Sequence, residues 1–370
     1  MKNKKIIIAL FIAVVSAVYA NLNFAFAQQN KTQYRVIENI SQLLEKTPEN
    51  KLKNEWLNEV DLSSLDLRNY EHLFVGEVGY DDENAITQWS DKVIWPGASK
   101  MPSSFNPQKL LEQSKKPEGV AGLHSKGITG KGINIAIIDQ RLLKEHPEYK
   151  NRIKYYEVFG NNWKHDGVDY HGSLVAGIAV GQNTGTAPGA DVYYFAANNW
   201  PDYTMHTINK VLRRIIDINK TLPENEKIRF LSCSWGGPDD KFADEREKLF
   251  KEAEQNGIMV LGGFYKHTMD NNTFDKRYGM DGGGLGIPTD GKTNPYYTGG
   301  YAFDRLGGTS STFPYLAGVF AMALQDNQIF TQLPDWQDQL MEIAHDTAIN
   351  SVVNPAGIVA EVTRISKTLE

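Results

Sequence analysis

Four short apolar runs punctuate the middle of the chain: INIAIID at 133–139, ADVYYFA at 190–196, IRFLSCS at 228–234 and IMVLG at 258–262. Runs of this length, rich in β-branched and aromatic residues and without polar alternation, suit strands buried on both faces. The residues between them carry a different period. Ile208, Val211, Leu212 and Ile215 recur at i, i+3, i+4 and i+7, the stripe of a helix with one apolar face. FADEREKLFKEAEQNG is amphipathic and closes on Gly257, a good residue just past a helix end. Trp336, Leu340 and Ile343 mark another helix after Pro334. Strands alternating with helices predict an α/β fold, a mainly parallel central sheet with helices on both faces. In such sheets the working residues gather just past the carboxyl ends of the strands.

The N-terminus has a different character. Lys2, Lys4 and Lys5 precede an apolar stretch from Ile6 to Ala20, and Ala25 and Ala27 supply an A-x-A arrangement. Residues 1–27 therefore read as a signal peptide cleaved after Ala27, which predicts a secreted or periplasmic protein. The alternative, an uncleaved anchor, is disfavoured by an apolar run short for a bilayer. Cys233 is the only cysteine, so no intramolecular disulfide forms and an exported fold stands on its core alone. A net charge of -6 gives no global attraction to nucleic acid or to anionic lipid, and neither is an expected partner. Residues 28–118 are polar and loop-rich, as in SSLDLRNYEHL and WPGASKMPSSFNP, and read as an extension or a propeptide. Residues 119–370 form the main domain.

Three residues stand out for chemistry. Asp139 ends the first apolar run, where a turn or cap role competes with a working one. His171 precedes Gly172 and Ser173 at the start of LVAGIAV, and is either a helix-start residue or a base. His165, Asp166, Asp169 and His171 gather like metal ligands, but no i, i+4 histidine pair or cysteine supports that, so no metal site is expected. Ser310 lies in GGTSSTFPYLAG, a small-residue loop that feeds an apolar helix with Pro314 in its first turn. It is a cap or a nucleophile. The order Asp, His, Ser suits a hydroxyl activated by an imidazole that a carboxylate holds in the right tautomer. Gly307 and Gly308 would let a substrate approach the backbone closely.

From about Gly127 to the end, the chain resembles the subtilisin-like serine proteases, the subtilases. GITGKGINIAIID is similar to the stretch leading into that family's catalytic Asp, which implies that role for Asp139. HGSLVAGIAVG resembles the catalytic-His motif, with Ser173 where Thr is usual, and GTSSTFPYLAG the catalytic-Ser motif, with Thr312 replacing Ala. HPEY resembles a structural His-Pro segment at His146 and Pro147, and GTAPGADVY an Ala-Pro turn with its following strand. LSCSWGGP resembles the edge strand that pairs with substrate backbone, implying contacts from Ser234, Trp235 and Gly236. The resemblance implies a three-layer subtilisin-like fold and an endopeptidase acting on polypeptides through Asp139, His171 and Ser310. That chemistry requires no cofactor. The family also admits structural calcium, but the acidic stretches DGVD and DNNTFD read as plain polar loops.

Two departures stand against that pattern. Asp139 is followed by QRLL, where the family has a small residue and then Gly. After GIMVLGG, where the family places an oxyanion-hole Asn, this chain has FYKHTMD and no Asn before Asn271. In subtilisin itself, removing one such donor lowers the rate by roughly 10²–10³. Tyr265, Lys266, His267 or, from a longer loop, Asn271 are the candidate substitutes, and the alternative is that none takes its place. The competing reading is a catalytically impaired pseudoenzyme that binds or regulates. A lipase-type α/β hydrolase fails on the order of its triad and on the missing G-x-S-x-G.

Overall fold

The computed structural model describes residues 35–36, 60–61, 66–68, 88–100, 106–160, 168, 170–197, 205–234, 242–262, 285–304 and 309–370. Residues 1–27, His165, Asp166, Asp169, Trp235, Gly236, Tyr265, Lys266, His267, Asn271, Gly307 and Gly308 lie outside these residues. In chain order the strands are β1 (Arg35–Val36), β2 (Val60–Asp61), β3 (Gln88–Ser90), β4 (Asn134–Asp139), β5 (Ile153–Phe159), β6 (Asp191–Ala197), β7 (Ile228–Cys233), β8 (Met259–Gly262), β9 (Lys292–Pro295) and β10 (Tyr301–Asp304). The α-helices are α1 (Pro107–Gln113), α2 (Ala121–His124), α3 (Tyr170–Val180), α4 (Met205–Thr221), α5 (Ala243–Gln255), α6 (Thr312–Leu324), α7 (Trp336–Asp346) and α8 (Pro355–Ser366).

The four apolar runs become β4, β6, β7 and β8 of a five-stranded sheet in the order β5-β6-β4-β7-β8, every pair parallel. All six residues of β4 are buried, and the alternation of a strand divides them between two cores. Ile135 and Ile137 join α3, α6, α7 and α8 on one face, while Ala136 and Ile138 join α4 and α5 on the other. The helical stripe Ile208, Val211, Leu212 and Ile215 is fully buried against that second face. Gly257, just past α5, adopts φ +75°, the left-handed conformation that ends a helix without strain on a side chain. At α8, Pro355 takes the first helical position and Asn354 caps it by accepting from the Gly357 N–H. The protein is a three-layer α/β structure.

Strand order also fixes where chemistry can sit. From β4 the chain goes to β5 and returns through β6, whereas β7 leads away to β8 on the other side. The crevice between the carboxyl ends of β4 and β7 is thus the point where strand order reverses, the usual binding position in such sheets. Asp139 ends one of these strands and Ser234 follows the other.

A second sheet joins distant parts of the sequence in the order β1-β2-β3-β10-β9. β3 runs antiparallel to β10, with Gln88 opposite Asp304, and Trp89 stacks on Phe303 at 4.4 Å. The Asp91 carboxylate accepts from the Tyr301 N–H at 2.9 Å. α1 packs on β9 and β10, the Thr293 N–H donates to the Ser114 carbonyl, and the Tyr315 hydroxyl donates to the Glu118 carbonyl. Residues 88–100 and 106–118 are therefore built into the same packed unit as the C-terminal half. Among the described residues, no helix is long and apolar enough to cross a membrane.

Candidate active site

Asp139 is fully buried at the end of β4. Its Oδ1 accepts the Gln140 N–H at 2.8 Å and the His171 Nδ1–H at 2.7 Å, while Oδ2 has no hydrogen-bond partner among the described residues. A carboxylate can only accept, so the proton of this bond lies on Nδ1 and the basic nitrogen of the neutral ring is Nε2. His171 is the second residue of α3 and keeps 23% of its side chain exposed. The pair thus joins a buried, oriented carboxylate to an imidazole that reaches solvent.

Gly172 makes the approach of α3 to β4 possible. A Cβ there would lie 2.3 Å from the Gln140 carbonyl oxygen and 2.6 Å from the Tyr194 hydroxyl. The Tyr194 hydroxyl itself donates to that Gln140 carbonyl. Ser173, wholly buried, accepts the Leu143 N–H at 3.2 Å, tying the QRLL segment to the helix. The larger residues that follow Asp139 are accommodated by this local hydrogen bonding.

Ser310 lies half-buried in a 3-10 turn, Thr309–Ser311, that runs directly into α6 and packs against α3. The hydroxyl of Ser234 donates to the Ser310 carbonyl at 2.8 Å. Ile138 is in register with Cys233, so Ser234 leaves its strand beside Asp139. Asp139, His171, Ser234 and Ser310 are thereby linked through two hydrogen bonds, one register pair and one helix contact. Trp235 and Gly236, which the family resemblance adds as substrate contacts, lie outside the described residues, as do all four candidate oxyanion donors. Cys233 is 3% exposed and packs among apolar neighbours on the α4–α5 face, as a core residue does.

Sequence reasoning passed over the brace that holds the hairpin leading to Ser310. Glu148 is buried and accepts from the Asn183 N–H at 2.7 Å, its side-chain amide at 2.8 Å, the Thr184 N–H at 3.2 Å and the Tyr301 hydroxyl of β10. His146 shares a hydrogen bond with the Gly300 carbonyl at 2.8 Å, so Nε2 carries the proton. Its Nδ1 accepts the Glu148 N–H at 3.2 Å. HPEY and the residues after α3 thus clamp β10. Among the described residues, no group of three or more His, Cys, Asp or Glu could hold a metal ion. The Glu148 oxygens are occupied by protein donors.

These groups set an acid limit on stability. Burial lowers the imidazoles of His124 and His146 from their ordinary 6.5. The unfolded chain therefore binds their protons first, and stability falls as pH drops below about 6.5. For Glu148, burial pushes the carboxyl up, but the hydrogen bonds from Tyr301, Asn183 and Thr184 prevail and hold it below its ordinary 4.5. Its contribution is complete above about 4.5 and is lost as pH falls through the lower folded value. The melting temperature is expected to decline in two stages, the first below about pH 6.5 and the second below about pH 4.5. A flat profile across both stages would contradict this account.

Known proteins resemble the chain over part of its length. The family model described as "Subtilase family" matches residues 130–262. The major intracellular serine protease of Bacillus subtilis (strain 168) is 27% identical over 176 residues, 42% of this chain and 50% of that protein. Subtilisin Savinase of Lederbergia lenta is 24% identical over 238 residues, 58% of this chain and 82% of that protein. The chain thus spans about half the length of the first of these relatives. The solved structure of the prenylagaramide maturation protease PagA superposes with a TM-score of 0.52 at 16% identity, covering 67% of this chain and 99% of that one. At that identity the likeness is one of fold. The stretch that matches the subtilase family model, residues 130–262, carries Asp139, His171 and Ser234.

Proposed function

We propose that this protein is a secreted serine endopeptidase acting on polypeptides. The observation that supports this most strongly is the 2.7 Å hydrogen bond from His171 Nδ1 to the buried Asp139, on the helix against which the Ser310 turn packs. In this reading Ser310 Oγ attacks the scissile carbonyl carbon while His171 Nε2 takes its proton. Asp139 orients the ring and stabilises the imidazolium. The Ser310 N–H, at the start of α6, donates to the oxyanion that forms. The C–N bond then breaks, the leaving amine takes the proton from His171, and an acyl ester remains on Ser310. Water attacks the ester, His171 takes its proton and returns it to Ser310, and the product acid departs. The steps need only these protein groups and water.

Export through residues 1–27 would place the enzyme outside the cytoplasmic membrane, with cleavage after Ala27. The pairing of β3 with β10 further supports retention of residues 88–118 in the mature enzyme, whatever happens upstream. A fluorophosphonate tests the reading, because only an activated serine reacts quickly. The purified mature protein is expected to take up the label at Ser310 and to begin at or before Gln88. No labelling would favour the pseudoenzyme, and an N-terminus beyond Gln88 would overturn retention.

A further inference from the structure

Just ahead of α6, the residue where chemistry is proposed has no α-helical donor for its carbonyl. In an α-helix each carbonyl accepts from the N–H four residues ahead. For Ser310 that residue is Pro314, which has no N–H. Ser310 precedes α6, in the 3-10 turn, and the proline at 314 rules out the α-helical bond that would draw its carbonyl into the helix. The hydroxyl of Ser234 meets that carbonyl at 2.8 Å from the end of β7, outside the helix altogether.

We propose that Ser234 is a positioning residue for the Ser310 nucleophile. This rests on the reading of Ser310 as nucleophile given above. The bond fixes the peptide plane between Ser310 and Ser311, hence ψ at Ser310, and with it the direction in which the Ser310 side chain leaves the backbone. It ties the turn to the end of β7, which lies in register beside Asp139 at the end of β4. The nucleophile and the carboxylate that orients its base are thus referenced to adjacent strands of one sheet. Ser234 acts on catalysis through the Ser310 backbone and need not touch the substrate with its hydroxyl. The subtilase resemblance instead makes residue 234 a substrate contact. The two roles predict different kinetics, because a lost substrate contact raises KM whereas a misplaced nucleophile lowers kcat. A misplacement of about 1 Å is enough for a loss of order 10²-fold.

The experiment compares wild type, Ser234→Ala, Ser234→Thr and Ser234→Ala/Pro314→Ala in two assays. One is the rate of labelling by a small fluorophosphonate that has no peptide portion; the other is kcat and KM on a peptide substrate. Ser234→Ala is expected to slow labelling and kcat by about tenfold or more while KM stays within about twofold. Ser234→Thr keeps the hydroxyl and retains most of the rate. The double variant recovers part of it, because an alanine at 314 restores an N–H four residues beyond Ser310. Melting temperatures report whether each variant is folded. Wild-type labelling by Ser234→Ala, or a loss confined to KM, would overturn the assignment. If the wild type is not labelled at Ser310, the nucleophile reading itself fails and this inference fails with it. A protein labelled at Ser310 whose Ser234 variants are unaffected fails only the inference.

Discussion

Ser310→Ala is expected to bring cleavage of an unfolded protein substrate down to the level that binding and backbone donors alone sustain, about 10³–10⁴ above the uncatalysed reaction. The change removes one oxygen from a half-buried side chain and leaves the backbone N–H in place. The Ser234 hydroxyl bond is to the carbonyl of residue 310, so it too survives the substitution. Nothing in the core is disturbed, and the stability change is expected within about 0.5 kcal/mol, as for a change away from buried groups. Activity and melting temperature measured on one preparation therefore separate loss of chemistry from loss of fold. A variant that cleaves at the wild-type rate would remove Ser310 from the mechanism. A variant that melts far below wild type would show that Ser310 carries structural weight that its position does not suggest.

The parallel sheet was readable because its strands are buried on both faces. Ile135, Ala136, Ile137 and Ile138 must all be apolar when helices cover each side, and a continuous apolar run is hard to mistake. The stripe on α4 was readable for the complementary reason, one buried face and one solvated. β5 escaped notice because it lies at the sheet edge, half-exposed, with Lys154 and Glu157 interrupting its aromatic residues. The second sheet escaped for a different reason. Its strands are two to four residues long, and β3 finds its partner in β10, more than two hundred residues away. No local pattern encodes a pairing of that range. At the site, motif resemblance singled out Asp139, His171 and Ser310, and sheet geometry independently pointed to the end of β4. The need for Gly172 was not apparent until the helix was seen against the Gln140 carbonyl. The part played by Ser234 was half-visible, since a proline four residues after a candidate nucleophile announces a carbonyl in want of a donor. What the sequence could not say is which hydroxyl, 76 residues upstream, supplies it.

Asp139→Asn is expected to lower kcat by about 10⁴ with the fold intact, as the same change does in trypsin-like enzymes. The hydrogen bonds around Asp139 explain why the effect should be that large. Oδ1 accepts from both the Gln140 N–H and the His171 Nδ1–H, and Oδ2 is buried without a partner among the described residues. An asparagine can keep its oxygen at the Oδ1 position, which preserves both bonds and the useful tautomer. Its amide then occupies the buried Oδ2 position, where an unsatisfied donor costs about 1–3 kcal/mol. Turned over, the amide faces the Gln140 N–H donor to donor and can donate to His171 Nδ1. That second bond selects the tautomer with its proton on Nε2, the nitrogen that must receive the Ser310 proton. Neither orientation supplies the negative charge that stabilises the imidazolium in the transition state. Both routes leave substrate binding untouched, so the loss should fall on kcat, with KM changed by less than about threefold. Asp139→Glu tests the geometry rather than the charge, because an added methylene at a fully buried site must displace either α3 or the Gln140 backbone. If Asp139→Asn retained more than about a tenth of wild-type kcat, the 2.7 Å contact with His171 would be structural, and the base facing Ser310 would have to take its orientation from another group.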